Sequence, residues 1–157
     1  ISRKSEYMVK LWKAILQVPG FAKENAKKNT VLAQTVVLKS IAQLAYSLAW
    51  GHKGIQNQKE YEALYNAIRL NEIDFSHDNE LWRSMFWTSE DREKKFPGIG
   101  EYLKMSGDYL PDRGLYDEEN KVVRYGARHS DLIPKIGDMV RYNLGISPRP
   151  SIKRARV

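Results

Sequence analysis

The chain has 157 residues and a formal net charge of +7, a length that predicts one domain able to bury a substantial core. It contains no cysteine, which excludes disulfide bonds, thiolate nucleophiles and zinc or iron–sulfur sites held by cysteine. The lack of cysteine also fits a cytoplasmic protein. No stretch of about 20 residues is apolar without polar breaks, so we expect no membrane span.

Two helices are predicted in the first third of the chain. The first begins near Ser5 and ends before Pro19, since proline followed by glycine stops a helix. The second begins at Asn29 or Thr30, either of which can cap it, and ends at Gly51. It is apolar on nearly every side, which places it at the centre of a helical bundle. The apolar face of the first helix consists of Met8, Leu11, Trp12 and Ile15.

The middle of the chain predicts shorter elements. A third helix begins at Asn57 and extends to about residue 70, and a short helix follows, capped by Ser76 or Asp78. Residues 88–97 are charged and predict a surface loop, and a further short helix is predicted over residues 99–110. Aromatic residues at helical spacing are more often core anchors than exposed stacking platforms, so we expect three of them in the core: Trp12, Trp82 and Phe86.

The last third predicts a short hairpin near residues 115–125 and one more helix, which begins at Ser130 and ends at Gly145. The expected fold class is all-α, a compact bundle of five or six helices around the central apolar helix. We expect residues 1–146 to form a single helical domain of a longer polypeptide, because the chain does not begin with Met. Residues 147–157 are rich in proline and basic residues and predict a flexible tail.

Basic residues are concentrated at the two ends of the chain. Residues 1–28 carry seven Lys or Arg and two Glu, residues 121–157 carry nine Lys or Arg and two Asp, and residues 55–120 carry eight basic and fifteen acidic residues. Basic ends suit DNA phosphates, because neutralised phosphates release counterions. The alternative is that these ends pair with the acidic middle inside the fold. The candidate nucleic-acid-binding residues are Lys27, Lys28, Arg141, Arg149, Lys153, Arg154 and Arg156.

The sequence predicts no catalytic residue, no metal site and no cofactor. Pro111 and Asp112, followed by the triplet Glu119-Asn120-Lys121, are similar to a magnesium-dependent nuclease signature, although a polar surface loop is the favoured interpretation. No phosphate-binding loop of the Gly-x-x-x-x-Gly-Lys type is present. The histidines lack the spacing of metal ligands and are typical of surface or loop positions: His52, His77 and His129.

One segment resembles a known family. Residues 74–82 read Asp-Phe-Ser-His-Asp-Asn-Glu-Leu-Trp, which resembles the Asp-Trp-Ser-x-x-Asn-x-x-Trp segment of the DGQHR-domain family. That family includes the DndB proteins associated with bacterial DNA phosphorothioate modification. The order of elements also agrees, with a helix ending at proline, a long apolar helix, and a last helix ending in Leu-Gly-Ile. The motif residues are Asp74, Ser76, Asn79 and Trp82.

The resemblance covers most of residues 5–148 and corresponds to the C-terminal helical region of the family. Phe75 stands where the family usually has Trp, residues 88–118 look like an insertion, and the signature that names the family is not in this sequence. The resemblance implies a DNA-modification or phage-defence setting with DNA binding and transcriptional control, and it supplies no catalytic residue. By their chemistry the motif residues are turn, capping and core residues.

We therefore expect a non-catalytic, DNA-contacting or regulatory module. The alternative is a protein-interaction module of a modification or defence complex, which would use the acidic middle of the chain. A magnesium-dependent nuclease is a third interpretation. Retention by duplex DNA, co-purification with a protein partner and metal-dependent cleavage would distinguish the three classes.

Overall fold

Helices account for most of the fold. The structure is a computed structural model that describes residues 3–51, 58–104 and 113–150. Its α-helices are α1 (Arg3–Leu16), α2 (Ala26–Asn29), α3 (Thr35–Trp50), α4 (Gln58–Arg69), α5 (Ser89–Lys95), α6 (Gly100–Leu103) and α7 (His129–Leu144). Two 3₁₀ helices, Val31–Ala33 and Glu80–Phe86, and a hairpin of β1 (Gly114–Asp117) and β2 (Val122–Tyr125) complete it. The mainly helical fold and the short hairpin are confirmed, but the hairpin means that the chain is not purely all-α.

The core is built around α3, which packs against both α7 and α4. Val37, Ile41 and Ala45 on α3 are fully buried. On α7 the side chains of Ile136 and Met139 are fully buried as well. Each large apolar side chain buried in this way stabilises the fold by about 1.5–3 kcal/mol relative to leaving it in water. The nearly all-round apolar character of α3 is thus explained by partners on several sides.

The hairpin packs one residue of β2 into the same core, because Val123 is almost fully buried. Its strands are antiparallel, and Gly114 lies opposite Tyr125. In the connecting turn, the Asp117 carboxylate accepts hydrogen bonds from the backbone N–H of Asn120 at 3.0 Å and from its side-chain amide at 2.9 Å. These bonds lower the pKa of Asp117 and close the turn.

Several predicted elements differ in the structure. The predicted cap Thr30 begins the 3₁₀ helix Val31–Ala33, and α3 begins only at Thr35. The short helix after α4 is a 3₁₀ helix capped by Asn79 and not by Ser76 or Asp78. Residues predicted as a charged loop form α5, because the Thr88 hydroxyl caps it by accepting from the Asp91 N–H at 3.1 Å. Its buried Arg92 donates to the carbonyl of Trp87 at 3.1 Å. The helix predicted over residues 99–110 ends instead at Leu103, since Lys104 adopts the left-handed conformation, and residues 105–112 lie outside the described residues.

The predicted core position of Trp12 is wrong. Half of its side chain is exposed, because the buried face of α1 consists of Leu11, Ala14 and Ile15 and is continued after the helix by Val18. Those four residues follow the i, i+3, i+4, i+7 spacing of a helical face. Trp12 lies beside that face, and its indole meets the Phe21 ring edge-on with centroids 6.1 Å apart.

The chain after α7 is bonded to the helical body. Ser147 donates its N–H to a carboxylate oxygen of Glu60 at 2.8 Å, and the Tyr102 hydroxyl donates to the carbonyl of Ile146 at 2.7 Å. The boundary predicted at residue 147 therefore falls within hydrogen-bonded chain, and residues 151–157 lie outside the described residues. Among the helices described, none is both long enough and apolar enough to cross a membrane.

Candidate nucleic-acid interface

A groove of about 810 Å³ lies between the N-terminal part of the fold and the hairpin. One wall comes from α2 and the start of α3, and the other from β2, its preceding turn and the start of α7. The two walls are about 100 residues apart in the sequence. The residues that line the groove are Lys27, Lys28, Gln34, Thr35, Val36, Asn120, Val122, Val123, Arg124, Tyr125 and His129.

The charge of this groove is positive. Lys27 and Lys28 are exposed on α2, and among the described residues neither has an ion-pair partner. Arg124 keeps 62% of its side chain exposed while it pairs with Asp117 at 3.4 Å. None of the described residues that line the groove is acidic. Arg124 thus shares its charge with Asp117, whereas Lys27 and Lys28, which have no acidic partner among the described residues, attract phosphate groups most directly.

Two helices begin at the groove, and their dipoles add to its positive potential. Thr35 is the first residue of α3 and His129 the first of α7, and the N-terminus of a helix carries a partial positive charge. The nearest acidic residue of α7, Asp131, is tied to Arg113 at 3.0 Å and to Lys135 at 3.2 Å. Burial opposes its ionisation, but the hydrogen bonds from those cations outweigh burial and lower the pKa of Asp131.

His77 joins the two walls. Its Nδ1 atom accepts a hydrogen bond from the Val123 N–H at 2.9 Å, and its Nε2 atom lies 2.7 Å from the carbonyl oxygen of Lys27. Because Nδ1 is an acceptor here, the proton must be on Nε2, which donates to Lys27. The ring is therefore a neutral bridge from α2 to β2. His77 lies in a turn, as expected of a loop histidine, but with 5% of the residue exposed it is buried and not a surface residue.

Gln34 makes a second link between the walls. Its side-chain amide donates to the carbonyl of Val123 at 2.8 Å and accepts from the Tyr125 N–H at 3.0 Å. Val123 and Tyr125, two alternate residues of β2, thus make with one side chain the hydrogen bonds that they would otherwise make with a neighbouring strand. The amide covers an edge that would otherwise be open to pairing with another chain, and it fixes the start of α3 against the hairpin.

The segment of residues 74–82 positions His77. The carbonyl of Asp74 accepts from the Asn79 side chain at 2.8 Å and from the Trp82 indole at 2.7 Å, and the Asp74 carboxylate accepts from the Ser76 N–H at 2.9 Å. Asn79 also caps the 3₁₀ helix Glu80–Phe86. These hydrogen bonds form the turn from which His77 projects. None of the four residues lines the groove itself.

Aromatic and backbone contacts hold this turn against the N-terminal wall. Phe75 stacks on the fully buried Trp82 ring with centroids 5.4 Å apart. The carbonyl of Phe75 accepts from the Thr30 hydroxyl at 3.0 Å and from the Val31 N–H at 2.9 Å. The hydroxyl of Tyr125 donates to the carbonyl of Trp82, and burial raises the pKa of Tyr125. The turn is therefore tied to both sides of the groove.

Two arginines predicted as phosphate contacts are bound within the fold. As a correction to the prediction, Arg141 is a buried residue and not a surface cation, and it donates to the carbonyl of Ser147 at 3.0 Å. Burial lowers its pKa. Arg149 is half exposed and pairs with the buried Asp138 carboxylate at 3.1 Å. Neither arginine lines the groove. The other predicted cations of the tail lie outside the described residues: Lys153, Arg154 and Arg156.

Of the basic residues and histidine that line the groove, the sequence predicted Lys27 and Lys28 as candidate DNA contacts but not Arg124 or His129. No local signal marks Arg124, because only the register of the hairpin brings it to the groove. The nuclease-like triplet lies in the turn of that hairpin, and Asp112 lies outside the described residues. Within the described ranges, no group of three or more His, Asp or Glu side chains could hold a metal ion.

Comparison with family models, with curated proteins and with solved structures gave no match.

Proposed function

We propose that the chain binds DNA through this basic groove and acts as a non-catalytic, DNA-contacting or regulatory module. The observation that carries the proposal is the meeting of Lys27 and Lys28 with Arg124 and His129 in a groove whose described lining contains no acid. These residues come from two distant regions of the chain, so the folded state is required to create the cationic surface.

The groove favours the phosphate backbone over the bases as its ligand. Lysine ammonium groups are point charges that suit phosphate oxygens. The aromatic ring on the wall, Tyr125, uses its hydroxyl and its backbone N–H within the fold. The edge of β2 is covered by Gln34 and His77. The polar groups of Tyr125 and the backbone of β2 are therefore not available to hydrogen-bond with base edges. Binding by this route depends on charge and tolerates different sequences.

The setting in a bacterial DNA-modification or phage-defence system is supported by the resemblance of residues 74–82 to the DGQHR-domain family. A DGQHR signature upstream of Ile1 in the full-length gene would support this setting, and its absence would remove that support. DNA binding by the groove is a separate proposal, because it rests on the charges and positions of the lining residues and not on the family.

The experiment measures binding of a fluorescein-labelled DNA duplex by anisotropy at salt concentrations from about 50 to 200 mM. We expect the logarithm of the affinity to fall linearly with the logarithm of the salt concentration, because counterions are released from phosphates. The double variant Lys27→Gln, Lys28→Gln should lower the magnitude of that slope by about 2 and weaken binding about tenfold at the lowest salt.

The matched control is the double variant Lys94→Gln, Lys95→Gln. These are also two consecutive exposed lysines at the end of a short helix, but they lie on α5 outside the groove. The control removes the same charge and should change the dissociation constant less than about twofold. Equal losses in the two double variants would show that net charge alone drives binding, and the proposed site would be wrong.

A further inference from the structure

A second groove lies between α1 and α3, and its chemistry differs from that of the basic groove. Its volume is about 240 Å³, and its lining is apolar apart from one cation. This volume is below the roughly 300–1,000 Å³ typical of small-molecule sites and suits a few anchoring side chains of a protein partner. The lining residues are Met8, Leu11, Trp12, Ile15, Leu38, Lys39 and Ala42.

The apolar character of the groove continues onto the surface of α1. Val9 is 51% exposed and Trp12 50% exposed, and Leu16 is also exposed. These residues follow a spacing of three and four, so they form one stripe beside the groove. Single exposed apolar residues are ordinary, but a stripe continuous with an apolar groove is typical of an interaction site.

The charges around this surface are positive. Lys39 lines the groove from α3, and Lys13 follows Trp12 on the exposed side of α1. Helix α3 contains no acidic residue, and Glu6 is the only one in α1. Charge complementarity therefore calls for a partner whose apolar anchors are flanked by acidic side chains.

The backbone of the groove determines the conformation of that partner. Both walls are α-helices, whose backbone N–H and C=O groups are used within the helices, so the groove offers side chains and no strand edge. An extended segment would gain no backbone hydrogen bonds here, whereas a helix satisfies its own. We propose that the α1–α3 groove docks an amphipathic helix of a partner protein whose apolar stripe is flanked by Asp and Glu.

The experiment uses two fluorescein-labelled helical peptides of about 20 residues. Both carry Leu at positions i, i+3 and i+7, and the flanking residues are Glu in one peptide and Lys in the other. We expect the Glu peptide to bind with a dissociation constant on the order of 10 μM and the Lys peptide at least tenfold more weakly. Equal binding of the two peptides, or no binding of the Glu peptide, would overturn the proposal.

Two variants locate the site on the protein. Trp12→Ala should weaken binding of the Glu peptide about tenfold, whereas Leu70→Ala, which also truncates a half-exposed apolar side chain, should leave it unchanged. Lys39→Glu should weaken it about fivefold, and Lys94→Glu on α5 is the matched charge reversal. Because Trp12 is half exposed, circular dichroism and thermal unfolding should show that its variant remains folded.

Other occupants of the groove give different results. Concentration-dependent dimerisation that Trp12→Ala abolishes would assign the groove to a second copy of this chain. A loss of duplex binding in Trp12→Ala as large as that in the Lys27, Lys28 variant would assign it to nucleic acid. Either result would refute the acidic-helix proposal. The peptide measurements contain no DNA, so their outcome does not depend on whether the basic groove binds DNA.

Discussion

His77 is the residue that most directly connects the two walls of the basic groove. Replacing it with Ala would leave the Val123 N–H and the Lys27 carbonyl without their partner at a buried position. An unmade buried hydrogen bond costs about 1–3 kcal/mol, and the lost ring adds a cavity cost. We expect His77→Ala to lower the free energy of unfolding by about 3 kcal/mol, measured by urea denaturation with an unchanged m value.

His129 provides the control for that experiment. It also borders the groove but is only partly buried, so His129→Ala should change the free energy of unfolding by less than about 0.5 kcal/mol. If both variants lose the same stability, His77 does not have the bridging role that its hydrogen bonds indicate.

Asp138 is a buried carboxylate that is only partly satisfied. Its side chain is 1% exposed, and Oδ2 accepts from Arg149. Within the described residues, Oδ1 has no hydrogen-bond partner. Burial raises the pKa of Asp138 to about 6, although four nearby cations act in the opposite direction: Arg149, Arg141, Lys135 and Lys104. The ion pair with Arg149 therefore does not compensate fully for the loss of water around the carboxylate.

This raised pKa predicts a pH dependence with a definite sign. Between about pH 4 and 6 the folded carboxyl holds its proton while the unfolded one has lost it, so the free energy of unfolding falls as pH rises. The full effect is about 3 kcal/mol, of which about 2 kcal/mol lies between pH 4.5 and 7. Asp138→Asn should lack this contribution. Urea unfolding of the wild-type protein and of the variant should therefore show that the difference between their free energies of unfolding changes by about 2 kcal/mol between pH 4.5 and 7. A constant difference would contradict the prediction.

At the scale of single elements, two glycines give opposite predictions. Gly114 begins β1 with φ +142°, and an added Cβ would lie 2.3 Å from the carbonyl oxygen of Arg124. A backbone atom of a paired strand cannot move aside cheaply, so Gly114→Ala should lower the free energy of unfolding by about 3 kcal/mol. Gly137 lies inside α7 with nothing within 4 Å of an added Cβ, so Gly137→Ala should raise it by about 0.5–1 kcal/mol.

Thermal unfolding of the two glycine variants measures both effects. A destabilising Gly137→Ala would show that α7 has no room at that position, and a neutral Gly114→Ala would show that the hairpin tolerates a different register. The opposite signs make the pair informative, because a general sensitivity to added methyl groups would lower the stability of both variants.

The elements that sequence reasoning predicted are those with an apolar face and a clear end. Helix α3 is apolar nearly all round and is capped at its C-terminus by Gly51, and α7 is capped by Gly145 in the left-handed conformation. Helix α5 was missed because six of its seven residues are charged and only Arg92 is buried, so it has no apolar period. The Thr88 cap and the buried Arg92 stabilise α5, and neither feature produces a periodic apolar pattern in the sequence.

At the scale of the whole molecule, the basic groove could be predicted only in part. The lysines of α2 stand out in the sequence, but their meeting with Arg124 depends on long-range hydrogen bonds made by His77 and Gln34. Such pairings leave no periodic trace in one sequence. Conversely, Arg141 looked like a surface cation, and its burial depends on the chain after α7 folding back to Glu60 and Asp138.

The distribution of buried residues predicts which parts of the molecule open first. Helices α3 and α7 pack on each other and supply much of the core, whereas α5 buries only Arg92. Regions with few buried apolar contacts open locally at low free energy, while the packed core exchanges through global unfolding. In native-state hydrogen exchange, buried amides of α3 and α7 should therefore report the full free energy of unfolding, and those of α5 a value several kcal/mol lower.

The Val123 amide should lose protection in His77→Ala while α3 and α7 continue to track global stability, because His77 accepts its hydrogen bond. Equal protection of α5 and α3 would mean that the molecule unfolds as one unit, and would contradict the predicted local opening of α5.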